Sequence, residues 1–277
     1  MSVPPGSRVT LFGAGGPVGV MATRALRDTY RLRLTDVRPL ADLAAEGRPQ
    51  SPGAPLPEPL PAPHEEGVVD VFDYAQVLEA ARGAQALINC TVVRHDTAGA
   101  FRVNVAGAYH VAKAAVELGI RRIIHTGPQL VMTAPPVDYA DDFNVPDDVP
   151  PRGSSHRYSL SKYLSEELTR VFAGAHGLEV ACFTYCQFRP ADWFEDADGS
   201  GVFHFTTAWE DTGAPFLKAL QAPSSAFERP YERFHITSRL PQGKFGHLGK
   251  AKRLLDWEPE HDFSRLYRRP GAGTPQG

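Results

Sequence analysis

The chain has 277 residues, one large domain or two small ones at about 150 residues per domain, and at this size it buries roughly 75% of its unfolded surface without disulfide help. Hydrophobic residues at 42%, charged residues at 22%, 25 Gly and 25 Pro exclude bulk disorder, because Pro and Gly together stay below the roughly 25–30% typical of low-complexity chains. A formal net charge of -3, without a basic stripe interleaved with aromatics, excludes a nucleic-acid partner. In chain order, Arg8 to Phe12 is a short apolar run ending in glycine and Val18 to Leu26 has helical spacing, which predicts strand, glycine turn, helix. A second strand is predicted over Leu32 to Val37. Eight prolines between Pro39 and Pro63 predict a mobile insertion, bounded at 39–66, holding at most one short helix near Ala41 to Ala45. Order resumes with the run Gly67 to Asp70, a helix over Tyr74 to Arg82 and a strand over Ala86 to Cys90. A long helix over Phe101 to Leu118, a strand over Arg122 to Thr126, a helix over Tyr158 to Ala173 and a strand over Leu178 to Tyr185 follow, with Gly119 and Gly177 as helix stops.

Repeated strand–helix–strand units imply a parallel sheet and an α/β fold. Beyond Arg189 the alternation stops, and a helix over Pro215 to Ala222 and a turn or two of helix from Lys250 to Trp257 are all that periodicity offers. The expected organisation is a nucleotide-binding domain over 1–188, a small substrate lobe over 189–270 and a disordered tail over 271–277. Three cysteines, Cys90, Cys182 and Cys186, lack His/Cys partners at zinc spacing and are expected as buried free thiols in a reducing cytoplasm. The N-terminus carries no signal-peptide pattern and no window approaches 18 apolar residues, so a soluble cytoplasmic protein without a membrane partner is expected.

The first functional motif is Gly13-Ala-Gly-Gly16-Pro17-Val18-Gly19. Glycines at this junction let the chain turn tightly, let backbone N–H groups approach a pyrophosphate and let the helix pack closely on the sheet, while the helix N-terminus adds partial positive charge. A glycine-rich turn can be only structural; the strand before, the helix after and Asp36 at the end of the second strand favour nucleotide binding. Asp36 would accept bonds from the ribose hydroxyls and repel a 2′-phosphate, so the expected cofactor is NAD. Arg38 either turns to a phosphate or is a solvated loop cation. Asp70 either meets the adenine edge or caps the next helix.

The second motif is Tyr158-Ser-Leu-Ser-Lys162, one helical turn on one face. A phenol is a poor base at neutral pH, but a nearby cation favours phenolate, so Tyr158 is the candidate acid/base and the alternative is a surface helix pair. With these residues the chain resembles the extended short-chain dehydrogenase/reductase family, the NAD-dependent epimerase/dehydratase group. The resemblance rests on Gly13, Gly16 and Gly19, on Asp36, Asp70-Val71 and Asn104-Val-Ala-Gly107, on Tyr158 and Lys162, and on the closing Lys250 to Pro259. The His235-Ile-Thr-Ser238 segment and the modest length are most similar to uronate-dehydrogenase-like members. The resemblance implies a Rossmann-type doubly wound sheet, a small polar and sugar-derived substrate, Lys162 on the nicotinamide ribose, and Val71, Cys90, Thr91 and Asn104 along the cofactor. A homodimer is compatible with it.

Two departures stand out. Where the family usually carries a Ser or Thr that bonds the reacting oxygen, this chain has Pro128, which cannot donate; losing such a donor typically costs about 10²–10³ in rate. Thr126, two residues earlier on the same side of a strand, and Gln129 are the candidate substitutes. Thr184 stands where uronate dehydrogenases carry an arginine for the substrate carboxylate. His95, in Arg94-His95-Asp96, and Arg189 are candidate substrate contacts; their alternatives are a solvated loop and pairing with Asp192 or Glu195. The run Asp138, Asp141, Asp142, Asp147 and Asp148 lacks the spacing of a calcium loop and is expected as a solvated acidic loop, so no metal site is expected. Three readings result: an NAD-dependent oxidoreductase, an epimerase or dehydratase that oxidises transiently, and a redox-silent NAD-binding regulator.

Overall fold

The computed structural model describes residues 2–48, 51, 53–129, 150–194, 206–239 and 249–264. The acidic run from Asp138 to Asp148, Glu195 and the tail over 271–277 lie outside them. The strands are β1 (Arg8–Phe12), β2 (Arg31–Asp36), β3 (Glu65–Val68), β4 (Ala86–Asn89), β5 (Arg122–Pro128), β6 (Glu179–Tyr185), β7 (Gln187–Arg189), β8 (Thr206–Ala208) and β9 (Tyr231–His235). Seven of them form one sheet in the order β3-β2-β1-β4-β5-β6-β9, and each pairing in it is parallel. The order reverses between β1 and β4, the switch point where open α/β sheets bind ligands beyond the strands' carboxyl ends.

The helices are α1 (Pro17–Leu26), α2 (Leu40–Glu46), α3 (Tyr74–Ala81), α4 (Thr97–Ala100), α5 (Ala108–Leu118), α6 (Arg157–His176), α7 (Trp209–Thr212), α8 (Ala214–Gln221) and α9 (Gly249–Leu255). Strand alternation divides their contacts between two cores. Val9 and Leu11 of β1 join Leu26 of α1, Phe216 of α8 and Leu254 of α9 on one face. Phe12 joins Val77 of α3, Val111 of α5 and Val180 of β6 in the other cluster, while the Thr10 hydroxyl donates to the Ala80 carbonyl at 2.8 Å. Both faces are therefore covered, which is why the strands read as apolar runs. Gly119 and Gly177 end α5 and α6 in left-handed conformation, with φ of 70° and 64°, as their positions predict.

Four expectations need correction. The 39–66 insertion holds the one short helix expected of it, α2 over Leu40–Glu46, but is not a loose connection where it is described: Leu60 packs against the first core, and Glu58 pairs with Arg24 of α1 and, at 3.6 Å, with Arg27 just after it. Proline without periodicity hides such an extended, docked chain from a pattern search, yet its restricted unfolded state favours docking. The single helix expected over Phe101 to Leu118 begins earlier, with α4, and is a π-helical turn over Phe101–Gly107 followed by α5. Cys186 follows β6 and is exposed, whereas Cys90 and Cys182 are buried.

The fourth correction concerns the C-terminal lobe. β9 adds to the main sheet beside β6, with Cys182 opposite Arg233, and α8 is tied to it by the Arg122 guanidinium, which donates to the Ala219 carbonyl and, at 3.1 Å, to that of Ala222. β9 and α8, from beyond residue 189, thus pack with the main sheet. The strand escapes detection because Tyr231-Glu-Arg-Phe-His carries three ionisable side chains in four buried positions. β7 and β8 pair separately, and behind them buried Asp211 accepts bonds from the Glu260 N–H at 2.9 Å and the Ser238 hydroxyl at 2.5 Å. None of the described helices is long and apolar enough to cross a membrane.

Candidate functional site

The glycine turn sits at the switch point, between β1 and α1. Gly13 has φ of 81°, and a Cβ there would meet the Cys90 and Thr91 backbones at 2.8 Å; at Gly19 it would meet the Gly13 carbonyl at 2.3 Å. Both positions therefore require glycine, one for close approach to β4 and one for close packing of α1 on the turn. Gly16 is the N-cap of α1 without a side-chain cap, and Pro17 follows it. The first-turn N–H groups, Val18 and Gly19 among them, face an open helix end with the positive pole of its dipole. That arrangement fits a pyrophosphate.

Asp36 closes the turn from the β2 side. Its carboxylate accepts the Gly15 N–H at 2.9 Å and the Val37 N–H at 2.8 Å; burial nevertheless pushes its pKa up, and the backbone bonds oppose that rise. Arg38 turns away, donating to both carboxylate oxygens of Glu46 at 3.0 and 2.5 Å. Its place beside Asp36 is taken by a residue the sequence reading passed over. Arg48, from the proline-rich segment, donates to the Gly15 carbonyl and, at 3.0 Å, to that of Pro55, and its charge acts on Asp36.

Farther along the crevice, Asp70 is half-buried and accepts the Phe72 N–H at 2.9 Å. The cap of α3 is instead Asp73, which accepts from the Ala75 and Gln76 N–H groups. Val71 is buried against Gly107, where a Cβ would lie 2.7 Å from its Cγ2. At the end of β4, the Cys90 N–H bonds the Phe12 carbonyl at 2.8 Å, burial pushes the Cys90 thiol up to about 12, and the Thr91 hydroxyl donates to the Asn89 side chain at 2.7 Å.

Asn104 knits three elements together. From the π-helical turn it accepts the Val93 N–H at 2.9 Å and donates to the Val93 carbonyl at 2.8 Å and to Ser161 of α6 at 2.9 Å. The π geometry aims this side chain inward, a use of such turns found at functional sites. Ser161, unremarked in the sequence reading, completes the link.

α6 brings Tyr158 and Lys162 to the carboxyl ends of β4 and β5. Lys162 is 2% exposed and its ammonium donates to the Thr126 carbonyl at 2.6 Å, leaving two of its three donors. Burial lowers its pKa to about 8, while Cys182 and Glu166 oppose the fall. Tyr158 is half-buried, and the Arg94 guanidinium lies over its ring at 5.5 Å. The Arg157 side chain holds the same loop through the Arg94 carbonyl at 3.3 Å. His95 is exposed beside Arg94. Arg189, at the end of β7, donates to the Phe188 carbonyl at 2.9 Å.

The candidate replacements for the missing hydroxyl at Pro128 are both engaged. Pro128 ends β5, buried. The Thr126 hydroxyl donates to the Asn89 carbonyl at 3.1 Å. Gln129 is 1% exposed and its amide nitrogen meets His235 Nδ1 at 2.5 Å, while its Oε1 has no partner among the described residues. His235 also lies 3.3 Å from the Thr184 hydroxyl.

Glu166 lies one turn beyond Lys162. It is 1% exposed, burial raises its pKa to about 7, and its Oε1 has no partner among the described residues. A Cβ on Gly127 would come within 2.5 Å of that oxygen, so the glycine in β5 makes room for the acid. A lone Glu on a helix gives no sequence signal; the spacing Lys162-x-x-x-Glu166 and a glycine opposite are the only traces.

A profile of the NAD dependent epimerase/dehydratase family matches residues 9–200. The chain is 28% identical over 183 residues to the uronate dehydrogenase of Pseudomonas putida, covering 65% of this chain and 60% of that protein. It is 27% identical over 185 residues to the L-arabinose 1-dehydrogenase (NAD(P)(+)) of Haloferax volcanii, covering 63% and 64%. The match therefore spans under two thirds of either relative's length. In fold it is similar to the uronate dehydrogenase of Agrobacterium tumefaciens, with TM-score 0.68, 20% identity and coverage of 98% and 92%. The glucuronic acid dehydrogenase of Chromohalobacter salexigens gives TM-score 0.69 at 19% identity with the same coverage. With the profile matching residues 9–200, more than half of the chain, the chain belongs to the NAD dependent epimerase/dehydratase family.

Proposed function

We propose that the chain is an NAD-dependent oxidoreductase acting on a hydroxyl or carbonyl of a small polar, sugar-derived molecule, with Tyr158 as acid/base. The observation that carries this reading is the convergence at one switch point of an uncapped α1, the Asp36 carboxylate under the glycine turn and the Lys162 ammonium anchored on the Thr126 carbonyl. Bound NAD would supply a nicotinamide that accepts hydride from the substrate carbon. Gly13, Gly16, Pro17, Val18 and Gly19 would hold its pyrophosphate, Asp36 its adenosine ribose, and Asp70, Val71, Cys90 and Thr91 would border it. Lys162 would hold the nicotinamide ribose with its remaining donors, and Asn104 links Ser161 to the loop after β4. Tyr158 takes the substrate hydroxyl proton as the carbonyl forms. His95 and Arg189 stand at the substrate side of the crevice.

A second reading, redox-silent NAD binding, draws support from Pro128 and from the engagement of Thr126 and Gln129. One comparison decides between them. NADH absorbance, with turnover followed separately, is measured for wild type and Tyr158→Phe over a panel of sugars and sugar acids. The oxidoreductase reading expects a loss of 10²–10⁴-fold in turnover, on the order of a general acid–base group, with unchanged NAD affinity. Turnover without net NADH would point to epimerisation or elimination, and NAD binding without any turnover to the silent reading.

A further inference from the structure

Beside the second half of α6 lies a cavity of about 490 Å³ that shares no lining residue with the glycine turn, within the roughly 300–1,000 Å³ range of small-ligand clefts. Helix α6 runs back from Tyr158, and its Arg170, twelve residues on, is about 18 Å along the axis from that phenol's backbone. The cavity walls include Glu167 and Arg170 of α6, Glu232 and Arg233 of β9, Arg229 just before β9, and Lys250 of α9. Four cations thus face two carboxylates.

Both carboxylates are engaged. Glu232 binds the Lys250 ammonium at 2.6 Å, the two side chains being 3% and 5% exposed, and its other oxygen accepts the Arg229 backbone N–H at 2.8 Å. Glu167 binds Arg170 at 2.6 Å. What remains is Arg229, exposed at the mouth, and Arg233, which is only 7% exposed and has an Nη1 without a partner among the described residues. A buried guanidinium donor without an acceptor is costly, and native structures rarely leave one. The acid behind Arg233 is Glu166, whose raised pKa leaves it partly protonated near neutrality, so it compensates the guanidinium only in part.

We propose that this cavity is a second ligand site, distinct from the nucleotide crevice, that binds the oxyanion group of a small metabolite, with Arg233 as the buried anchor and Arg229 closing over it from the mouth. A planar fork of donors suits phosphate and carboxylate alike, so the shared chemistry is a compact oxyanion, and the two sources are separated by the probes. The test is calorimetric titration of inorganic phosphate, and separately of malonate, into full-length protein saturated with NAD so that the glycine turn is blocked as an anion binder. Saturable binding of either probe is expected, weakened roughly tenfold or more by Arg229→Ala and lost in Arg233→Met, with NAD affinity unchanged in both variants. Phosphate alone binding assigns a phosphate ester, malonate alone a carboxylate. Should Arg233→Met not fold, Arg229→Ala decides, because that side chain is exposed. Absence of saturable binding, binding indifferent to Arg229→Ala, or competition with NAD overturns the proposal. If NAD itself does not bind, the nucleotide reading fails by that measurement alone, and the Arg229→Ala comparison still decides this one.

Discussion

The two flanks of the sheet are built in different ways. At the β1–β2 flank the site is made of backbone: a φ of 81° at Gly13, a helix end without a cap at Gly16, and amides drawn onto one carboxylate. At the β6–β9 flank it is made of buried side-chain charge: Lys162, Glu166, Arg233, and the Lys250–Glu232 pair. The first kind of site tolerates almost no added atom, because its ligand-facing groups cannot move without moving the chain. The second tolerates atoms but is sensitive to protons and counter-charges, since desolvation sets the balance of each group. Perturbing the two flanks separately should therefore give responses of different kinds.

The largest effect is expected where backbone geometry is forced. Gly13→Ala places a methyl 2.8 Å from the Cys90 and Thr91 backbones at a positive φ, which combines strain of about 1–3 kcal/mol with overpacking of similar size. Urea unfolding should show a loss of about 3 kcal/mol or more, and NAD binding should disappear in the folded fraction. A stable Gly13→Ala protein that binds NAD normally would remove the glycine turn from the site.

The charged flank should announce itself through pH. Glu166 has its pKa raised from 4.5 to about 7, so the native state holds a proton that the unfolded chain has already lost. Stability then falls as pH rises from about 4.5 to about 7, by an amount on the order of 3 kcal/mol, and stays reduced above that window. Lys162 works in the other direction, because its pKa is lowered from 10.5 to about 8. The unfolded chain binds the extra proton there, and stability recovers as pH climbs from about 8 to 10.5. Buried His125, beside Ser165 at 3.1 Å, has its pKa held well below 6.5 by burial; its contribution rises toward pH 6.5 and offsets part of the fall due to Glu166, so the Glu166 limb is read as the difference between wild type and Glu166→Gln. Glu166→Gln should remove the descending limb and leave the ascending one, as read from urea midpoints across pH; an unchanged profile would show that Glu166 is ionised throughout.

The same contrast explains what was legible in the sequence. Strands β1, β2, β4, β5 and β6, the glycine turn, Asp36 and the Tyr158/Lys162 spacing could be read because period and glycine placement are local properties. Arg48 was hidden because its role depends on the proline-rich segment folding back over Gly15. β9 was hidden by its own charges, which are buried only because Glu232 finds Lys250. Glu166 and Ser161 were hidden because a helix face is identified by what packs on it, here Gly127 and Asn104. Periodicity also cannot distinguish a π-helical turn from a continuous helix, so Asn104 could be marked by resemblance but not placed.

A smaller effect is expected at the ribose end. With Arg38 held by Glu46, the proposed role of the Asp36 carboxylate at the 2′ position predicts that NAD binds at least tenfold more tightly than NADP, about 1.4 kcal/mol. Asp36→Ala should erase that preference, because Arg48, whose charge acts on Asp36, would then lie unopposed beside a 2′-phosphate. The double variant Asp36→Ala/Arg48→Ala should bind NADP less well than the single one. Titration of both nucleotides into the three proteins checks this, and equal affinities in wild type would hand control of the pocket to Arg48.

The smallest expected effect tests whether glycine matters only where geometry demands it. Gly174 lies within α6, exposed, and a Cβ there meets nothing within 4 Å. Its backbone is helical, so alanine adds no strain, restricts the unfolded chain and improves helix propensity, a gain of about 0.5–1 kcal/mol. Gly174→Ala should therefore raise the urea midpoint slightly and leave NAD affinity untouched, the opposite sign to Gly13→Ala in the same chain. A loss of stability at Gly174 would mean that something packs on this face of α6, and the open cavity beside it would then be smaller in solution than its walls suggest.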